Sequence, residues 1–318
     1  MDKRQLIALI ADTVRDLDFD SLKIKGTLYK GKVRDVVDLG DKLMIYTSDR
    51  ISAFDRILTT IPCKGEVLNR IALYWFRQTA GLMPNHVIKE LSPRAVLVQK
   101  CKVIPLELIV RGYLTGSAWR DYEKGKPVSG IKLKPGLRYN EKFDTPLITP
   151  TTKAEAGHDL PISREEILKQ QIVSPALWEE IETSALALFK KAADMVRARG
   201  LILVDTKFEF GLLDNKLVCV DEIFTPDSSR FWYLDTFDEL FVKGEEQRKL
   251  DKEYLRKWLM DHDFMGDGDA PEIPEDIRAE VALRYIGAFE NITGTTFKPT
   301  ALTAGEEITR IADGLKKE

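Results

Sequence analysis

The spacing of hydrophobic and polar positions changes along the chain, and the changes predict both strands and helices. Short strand patterns dominate the N-terminal part, at about 28–37, 42–47, 95–103 and 106–111. Apolar residues at helical spacing predict longer elements at about 66–79, 175–199, 246–260, 276–291 and 305–315. We therefore expect an α+β protein with a β-rich N-terminal lobe and a larger α+β lobe that ends in helices.

Length and pattern together predict two domains. At 318 residues with 44% hydrophobic content, the chain can bury a substantial core. We expect a first domain over 1–104 and a second over 105–318. Within the second, 127–163 is rich in Pro, Gly and Thr, which predicts a long loop able to cover a site. Lys153 and the pair His158-Asp159 could touch substrate there, although exposure to solvent is their default.

Composition and charge narrow the classes of function. A net charge of −3 with dispersed basic residues gives no general attraction to nucleic acid, so we expect no such partner. The three cysteines form no CxxC pair, which disfavours a disulfide framework and a thiolate zinc site and indicates a cytoplasmic protein. No apolar run approaches the ~20 residues of a membrane span, and no Walker or Rossmann glycine motif occurs.

The segment 201–222 carries the most specific polar pattern. An apolar run turns into strict alternation, which places Asp205, Lys207 and Glu209 on one strand face and phenylalanines on the other. A strand buried on both faces would not carry charged residues on one of them. A solvated edge hairpin would show the same alternation, so the pattern gains weight only from the residues that follow.

The turn after this strand decides which carboxylate lies opposite Glu209. Residues 214–216, Asp-Asn-Lys, are typical of a hairpin turn. A three-residue loop would set Glu209 directly opposite Asp221, with two carboxylates in reach of one hard cation. A two-residue loop would instead turn Glu222 to that face.

A second polar strand face is predicted upstream. Glu107, Ile109 and Arg111 share one side of a strand, and after a glycine-bracketed connection Ser117 begins a short helix. Arg111, the Ser117 hydroxyl and the first N–H groups of the helix would converge on one anion, for which a phosphate monoester is suited. The alternative is a structural arginine paired to a carboxylate.

Three further segments are weaker candidates. Residues 28–35 place Gly31 at a turn beside cations, where backbone N–H groups can approach phosphate oxygens; a basic hairpin tip is the alternative. The loop 47–55 concentrates polar groups around Ser52 that suit a substrate carboxylate, although such loops often only connect. Residues 225–230 form either a second anion clamp or only a turn.

Five segments in the same order resemble one known family. They read YKGKVRD, SDRISAFD, VIPLELIVRGYLTGS, LILVDTKFEFG and VDEIFTPDSSRFW, and they cover most of 28–232. They are similar to the motifs of the phosphoribosylaminoimidazole-succinocarboxamide synthase (SAICAR synthetase) family. The resemblance implies a two-lobed fold like those of ATP-grasp enzymes and protein kinases. It also implies a reaction in de novo purine synthesis, in which ATP, L-aspartate and carboxyaminoimidazole ribonucleotide give ADP, phosphate and the succinocarboxamide.

The resemblance further implies roles for individual residues. Lys207, Glu209 and Asp221 would be catalytic, and Glu209 and Asp221 would hold the cofactor Mg²⁺ on the phosphates of ATP, the co-substrate. The residues expected to bind ATP are Gly31, Lys32, Val33, Arg34, Lys100, Lys102 and Glu107. Those expected to bind the other substrates are Asp49, Arg50, Ser52, Arg111, Ser117 and Arg230, of which the last three would hold the ribose 5′-phosphate.

Two other classes of function are compatible with parts of the pattern. A small-molecule kinase would use the same phosphate loop and carboxylates but would need no site for an amine. A catalytically silent nucleotide-binding module would not need the carboxylates Glu209 and Asp221. The motifs resemble the longer form of the family more than its compact bacterial form, which leaves monomer and homodimer both open.

Overall fold

The structure, a computed structural model, describes residues 1–153, 160–250 and 253–316. The pair His158-Asp159 lies outside the described residues. The chain divides into two compact units. Unit 1 comprises Met1–Tyr74, His86–Lys100 and Asp251–Glu318, and unit 2 comprises Trp75–Asn85 and Cys101–Leu250. Helices and antiparallel strands occur in both, which confirms the predicted α+β class.

The elements of unit 1 come from both ends of the chain. Its strands are β1 (Thr27–Lys30), β2 (Arg34–Asp38), β3 (Lys42–Thr47), β4 (Arg50–Ala53), β5 (Arg56–Thr60), β6 (Val87–Ser92) and β7 (Ala95–Gln99). Its helices are α1 (Lys3–Ala8), α2 (Phe19–Leu22), the first part of α3 (Lys64–Thr79), α8 (Glu253–Met260), α9 (Glu275–Thr293) and α10 (Ala304–Leu315).

The sheet of unit 1 is antiparallel, with strand order β1-β2-β3-β7-β6, and β4 and β5 form a separate hairpin. Alternate residues of its strands enter two cores, as the period of two requires. One core buries Val37 and Leu97 with Ile311 of α10. The other buries Ile45 and Val98 against Leu73 of α3.

The elements of unit 2 are consecutive except for the end of α3. Its strands are β8 (Lys102–Tyr113), β9 (Lys142–Thr152), β10 (Leu201–Leu213), β11 (Lys216–Val220) and β12 (Ser229–Tyr233). Its other helices are α4 (Gly116–Glu123), α5 (Arg164–Lys169), α6 (Pro175–Arg197) and α7 (Phe237–Lys243).

Strand β10 is the centre of the unit 2 sheet. It pairs with β8, with β11 and with β12, while β9 pairs with the other edge of β8, and all these pairs are antiparallel. Helix α6 begins as predicted, with the Ser174 hydroxyl accepting a hydrogen bond from the N–H of Leu177 and Pro175 in its first turn. It packs on β10 and β8. Its Phe189 lies against Gly112, on the apolar side of β8.

Two local predictions were wrong. The expected loop 127–163 contains strand β9, which is stabilised by its pairing with β8 and not by an alternation of its own. Strand β8 begins at Lys102, before Pro105, because Val103 and Lys102 also pair with β10. The register shifts between Glu107 and Val103, so Pro105 lies in a bulge. A proline, which has no N–H, is tolerated at such a bulge.

The two compact units also differ from the two expected domains. Residues 251–318 belong to unit 1, because α10 packs on β6 and α9 packs on α1. The division into domains at 1–104 and 105–318 stays a prediction. Among the described residues, no helix is both long and apolar enough to cross a membrane.

Candidate active site

The pairing of β8 with β10 joins the two predicted polar faces. Asp205 lies opposite Arg111, Lys207 opposite Ile109, and Glu209 opposite Glu107. Directly opposed residues of antiparallel strands project from the same side of a sheet. The polar residues of both strands therefore share one sheet face, and they form two clusters along it.

The first group, the carboxylate cluster, consists of Glu107, Glu209, Lys207 and Lys153. The Lys207 ammonium donates to Glu107 Oε1 at 2.6 Å and to Glu209 Oε1 at 2.8 Å. Lys153 Nζ donates to the second oxygen of Glu209. Glu209 is only 5% exposed, so two cations compensate one buried carboxylate.

The charges of this cluster are mutually stabilised. Burial opposes the ionisation of Glu209, but the charges of Lys207 and Lys153 and their hydrogen bonds lower its pKa to about 2. Burial likewise opposes the charge of Lys207, but Glu209, Asp221 and Glu107 raise its pKa above the ordinary value. Lys207 and Glu209 are thus both charged at neutral pH.

The hairpin after β10 has the two-residue loop. Leu213 pairs with Lys216, and the loop residues Asp214 and Asn215 have φ of 51° and 61°, the left-handed conformation of a type I′ turn. Glu209 consequently lies opposite Val220. The predicted direct opposition of Glu209 and Asp221 is wrong, because Asp and Asn both tolerate the conformation of the shorter turn.

Asp221 nevertheless lies near enough to the cluster for its charge to act on Lys207. It follows the last residue of β11 with φ of 62°, so the chain leaves the strand geometry there. Its charge is the second largest contribution that raises the pKa of Lys207. Glu222 is buried and accepts a hydrogen bond from the Thr225 hydroxyl at 2.5 Å. Asp221 thus stays the better candidate beside Glu209.

The carboxylate cluster fits a hydrated cation better than a closed metal cage. Among the described residues, no three His, Cys, Asp or Glu side chains are grouped to hold a metal ion. Magnesium usually takes one or two protein carboxylates and completes its shell with water and substrate phosphates. The Thr151 hydroxyl, opposite Glu107 on the same face, is buried and makes no hydrogen bond to the described residues. It could bond a water of such a shell.

The second group, the arginine cluster, consists of Asp205, Arg111, Arg230 and Ser117. Arg230 Nε donates to Asp205 Oδ1 at 2.9 Å, and its Nη2 donates to Oδ2. Arg111 donates to the same Oδ2 at 3.4 Å, to the Ser117 hydroxyl at 3.1 Å and to the Thr149 hydroxyl at 2.8 Å. Two guanidinium groups share one carboxylate, so the cluster keeps a positive charge that attracts an anion.

The start of α4 adds N–H groups to this cluster. Gly116, its first residue, has φ of +61°, and a Cβ built there would meet Arg230 Nη1 at 2.2 Å. Thr115, the N-cap, makes no side-chain hydrogen bond to the helix. The helix start therefore lies directly against a guanidinium group, and both favour a phosphate.

In unit 1, the turn 31–34 is tied to segment 48–50. Arg50 Nη2 donates to Gly31 O at 3.0 Å, and its Nε donates to Lys32 O at 3.2 Å. The N–H and the hydroxyl of Ser48 both donate to Val33 O, at 2.9 and 2.6 Å. Arg50, predicted to contact substrate, thus holds the turn 31–34 in place.

The remaining predicted residues are described by their contacts within their own units. The Asp49 carboxylate accepts internal hydrogen bonds from Val14, Gly65 and Arg94. Ser52 is half-buried in β4. Lys100 pairs with Asp38 in unit 1 at 2.7 Å, whereas Lys102 is exposed in β8 of unit 2.

Three residues of the site were given no definite role from sequence, although Lys153 was named as able to touch substrate. Asp205 was placed on the polar face by its alternation, but its shared pairing with two arginines depends on β8 and β12. Lys153 follows β9 directly, and Thr149 belongs to that strand, which was predicted as a loop. Only the pairing of β9 with β8 brings the last two residues to this face.

An anion site next to carboxylates that fit a hydrated cation is typical of enzymes that act on phosphate-bearing substrates. Comparison with known proteins narrows this class. The SAICAR synthetase family model matches residues 27–272. A phosphoribosylaminoimidazole-succinocarboxamide synthase of Bacteroides thetaiotaomicron is 46% identical over 311 residues, which are 96% of either chain.

Solved structures of SAICAR synthases are also similar to this chain. The SAICAR synthase of Saccharomyces cerevisiae, complexed with SAICAR, superposes with a TM-score of 0.80 at 34% identity and covers 90% of this chain and 100% of its own. A type-2 SAICAR synthetase in complex with ADP gives 0.67 at 25% identity, over 86% of this chain and 100% of its own. The chain belongs to the SAICAR synthetase family, whose members are ligases of purine biosynthesis.

The shared carboxylate of the arginine cluster can be tested by removing its charge. Asp205→Asn leaves Arg111 and Arg230 without a counter-charge, and breaking a buried pair in this way costs about 3 to 5 kcal/mol. Asp235→Asn, which removes the exposed partner of Arg248, should cost under about 1 kcal/mol. Thermal denaturation measures both losses.

Inorganic phosphate supplies the second half of that test. It should raise the melting temperature of Asp205→Asn more than that of the unmodified protein, because it replaces the missing negative charge. Equal losses in the two variants, with no selective effect of phosphate, would contradict an anion-binding arginine cluster.

Proposed function

We propose that this chain joins L-aspartate to carboxyaminoimidazole ribonucleotide at the expense of ATP, and that the two clusters of β10 divide the work. The observation that carries the proposal is their order on one sheet face. Asp205 of the arginine cluster and Glu209 of the carboxylate cluster are four residues apart, roughly 13 Å along a strand. Lys207 projects from the same face midway between them.

This order matches the shape of the ribonucleotide. Its 5′-phosphate and its imidazole carboxylate are at opposite ends of the molecule. With the phosphate on Arg111, Arg230 and Ser117, the carboxylate would extend along the strand towards Lys207. The cationic ammonium would hold the carboxylate and the incoming phosphoryl group, both negatively charged, close enough to react.

Phosphorylation of the carboxylate is the first chemical step that we propose. A carboxylate resists attack by an amine because its oxygen is a poor leaving group. Its oxygen attacks the γ-phosphorus of ATP, the bond to the bridging oxygen breaks, and ADP leaves with that electron pair. The product is an acyl phosphate. Lys207, held between Glu107 and Glu209, stabilises the charge on the transferring group.

Amide formation is the second step. The amine of aspartate attacks the acyl carbon, the carbon–oxygen bond to phosphate breaks, and phosphate and one proton are released. The residues predicted to bind this end of the substrates were Asp49, Arg50 and Ser52. Because Asp49 and Arg50 are engaged in internal hydrogen bonds, Ser52 is the one that we retain as a direct contact.

The proposed reaction also uses Mg²⁺, bound at the carboxylate cluster. Glu209 and Asp221 would hold the ion, and bound Mg²⁺ would neutralise and orient the phosphates of ATP. The low pKa of Glu209 supports this assignment, because the carboxylate is charged without the metal. Lys153 and Lys207 supply the compensating charge on that carboxylate.

The nucleotide-binding residues stay predictions of the sequence pattern. In unit 1, the carbonyls of Gly31 and Lys32 accept hydrogen bonds from Arg50. In a trans peptide the N–H points opposite to the C=O, so the N–H groups of Lys32 and Val33 point away from Arg50. This geometry supports contact with phosphate oxygens. Adenosine contacts by Lys100, Lys102 and Glu107, a cytoplasmic location and the oligomeric state are likewise predictions.

The reaction class is tested by following ADP and amide in parallel. A ligase should give one ADP per amide and should need L-aspartate for sustained turnover. A small-molecule kinase would form ADP from ATP and the ribonucleotide alone. Full-rate ADP release without aspartate, and with no amide product, would show that the ligase interpretation is wrong.

The metal ligands are tested by neutral isosteres. Glu209→Gln and Asp221→Asn should each abolish most activity and weaken binding of Mn²⁺ in the presence of ADP, because each removes a charged oxygen ligand. Glu222→Gln is the matched control and should be milder, since Glu222 bonds Thr225. Equal loss at Glu222 with a tolerant Asp221 would mean that Glu222 is the second ligand.

The arginine cluster predicts a selective change in KM. Arg111→Ala and Arg230→Ala should each weaken ribonucleotide binding by roughly 10- to 150-fold, the range of one charge-assisted hydrogen bond, with little effect on ATP. Arg111→Lys should restore only part of the loss, because an ammonium lacks the planar fork. Arg248→Ala, at an exposed arginine of the same unit, is the control. A rise in KM for ATP alone would place both arginines at the triphosphate.

A further inference from the structure

A buried acid on the C-terminal helix has no role in the site described so far. Glu307 lies in α10, outside the residues 27–272 that the family model matches, and only 2% of it is exposed. Its carboxylate accepts hydrogen bonds from the Ser92 hydroxyl at 2.8 Å, the Tyr46 hydroxyl at 3.1 Å and Arg94 Nη1 at 3.2 Å. A helix that only had to cover the sheet would place an apolar residue there, because burying a carboxylate is costly.

Arg94 connects Glu307 to Asp49. Its other terminal nitrogen, Nη2, donates to Asp49 Oδ2 at 3.3 Å, so one guanidinium joins two buried carboxylates. Burial opposes the charge of Arg94, but the charges of Asp49 and Glu307 raise its pKa above the ordinary value. Asp49 in turn accepts the N–H groups of Val14 and Gly65, each at 2.8 Å. The backbone at residue 49 is therefore fixed from several sides.

Residue 49 lies in the middle of the segment that grips the turn 31–34. Its neighbours Ser48 and Arg50 bind three consecutive carbonyls of that turn, as described above. Arg50 is itself held by the buried Asp35, at 2.6 Å. Two charged hydrogen bonds connect Glu307 through Arg94 to Asp49, and the backbone of 48–50 connects Asp49 to the Ser48 and Arg50 side chains that bond the turn. All these residues belong to unit 1.

We propose that Glu307 is a positioning residue for nucleotide binding: through Arg94 and Asp49 it fixes segment 48–50, which orients the N–H groups of the turn 31–34. The inference rests on the proposed role of that turn in binding the phosphates of ATP. It gives the C-terminal helix, which carries no recognised motif, a function in the reaction. The orientation of a few backbone dipoles matters because a shift of about 1 Å is sufficient to weaken such an anion site.

The test compares two variants of the same helix. Glu307→Gln keeps the volume but removes the charge that holds Arg94. It should raise the KM for ATP and the dissociation constant of an unreactive ATP analogue by roughly 5- to 50-fold, as expected for coupling between distant groups. The KM values for aspartate and the ribonucleotide should not change. Ile311→Ala, also fully buried in α10, loosens the packing of the helix without touching Arg94 and should lower the melting temperature but leave nucleotide binding unchanged.

Two more variants make every outcome decisive. Arg94→Lys breaks the same connection from its other end and replaces Glu307→Gln if that variant does not fold. Gly31→Ala tests the turn itself, since its Cβ would meet Arg34 O at 2.5 Å. If Gly31→Ala weakens nucleotide binding while Glu307→Gln and Arg94→Lys act no differently from Ile311→Ala, the positioning role is wrong and the proposed function stands. If Gly31→Ala has no effect, the role of the turn fails, and the positioning role fails with it.

Discussion

The register between β8 and β10 is the constraint on which the site depends. By placing Asp205 opposite Arg111 and Glu209 opposite Glu107, it assembles two charged clusters on one sheet face. A shift of one residue in this register would turn either polar row into the apolar face against which α6 packs. Phe208 and Phe210, both fully buried, oppose this shift, because it would move them out of the core. The hydrophobic core therefore fixes the chemistry of the opposite face.

Charge compensation explains how so many ionised groups are held on one sheet. Asp205 and Glu209 are each 5% exposed, and each is paired with two cations. Without those partners the carboxylates would pay the full desolvation cost of a buried charge. The arginine cluster therefore keeps a net positive charge, and the carboxylate cluster holds Lys207 between Glu107 and Glu209. Under the proposed function, substrate phosphates and a divalent ion would replace some of these charged partners, for which a neutral polar surface has no counter-charges.

Local periodicity was sufficient to predict both polar faces and the residues on them. Alternation placed Asp205, Lys207 and Glu209 on one side, and ordered motifs predicted the family correctly.

Properties that depend on distant parts of the chain were not predictable in this way. Strand β9, which carries Thr149 and precedes Lys153, is specified by its partner β8 and has no clear pattern of its own. The two-residue turn could not be chosen over the three-residue turn because Asp214 and Asn215 suit both. Glu307 bonds groups more than two hundred residues away, so no local signal could mark it.

The most direct measurement is a crystal structure with carboxyaminoimidazole ribonucleotide, ADP and Mg²⁺ bound. The order of the clusters on β10 predicts that the 5′-phosphate lies within hydrogen-bonding distance of Arg111 and Arg230, and that the imidazole carboxylate lies nearest to Lys207. A ribonucleotide in the opposite direction, with its phosphate at Lys207, or one bound away from this sheet face, would contradict the proposed division of work between the two clusters.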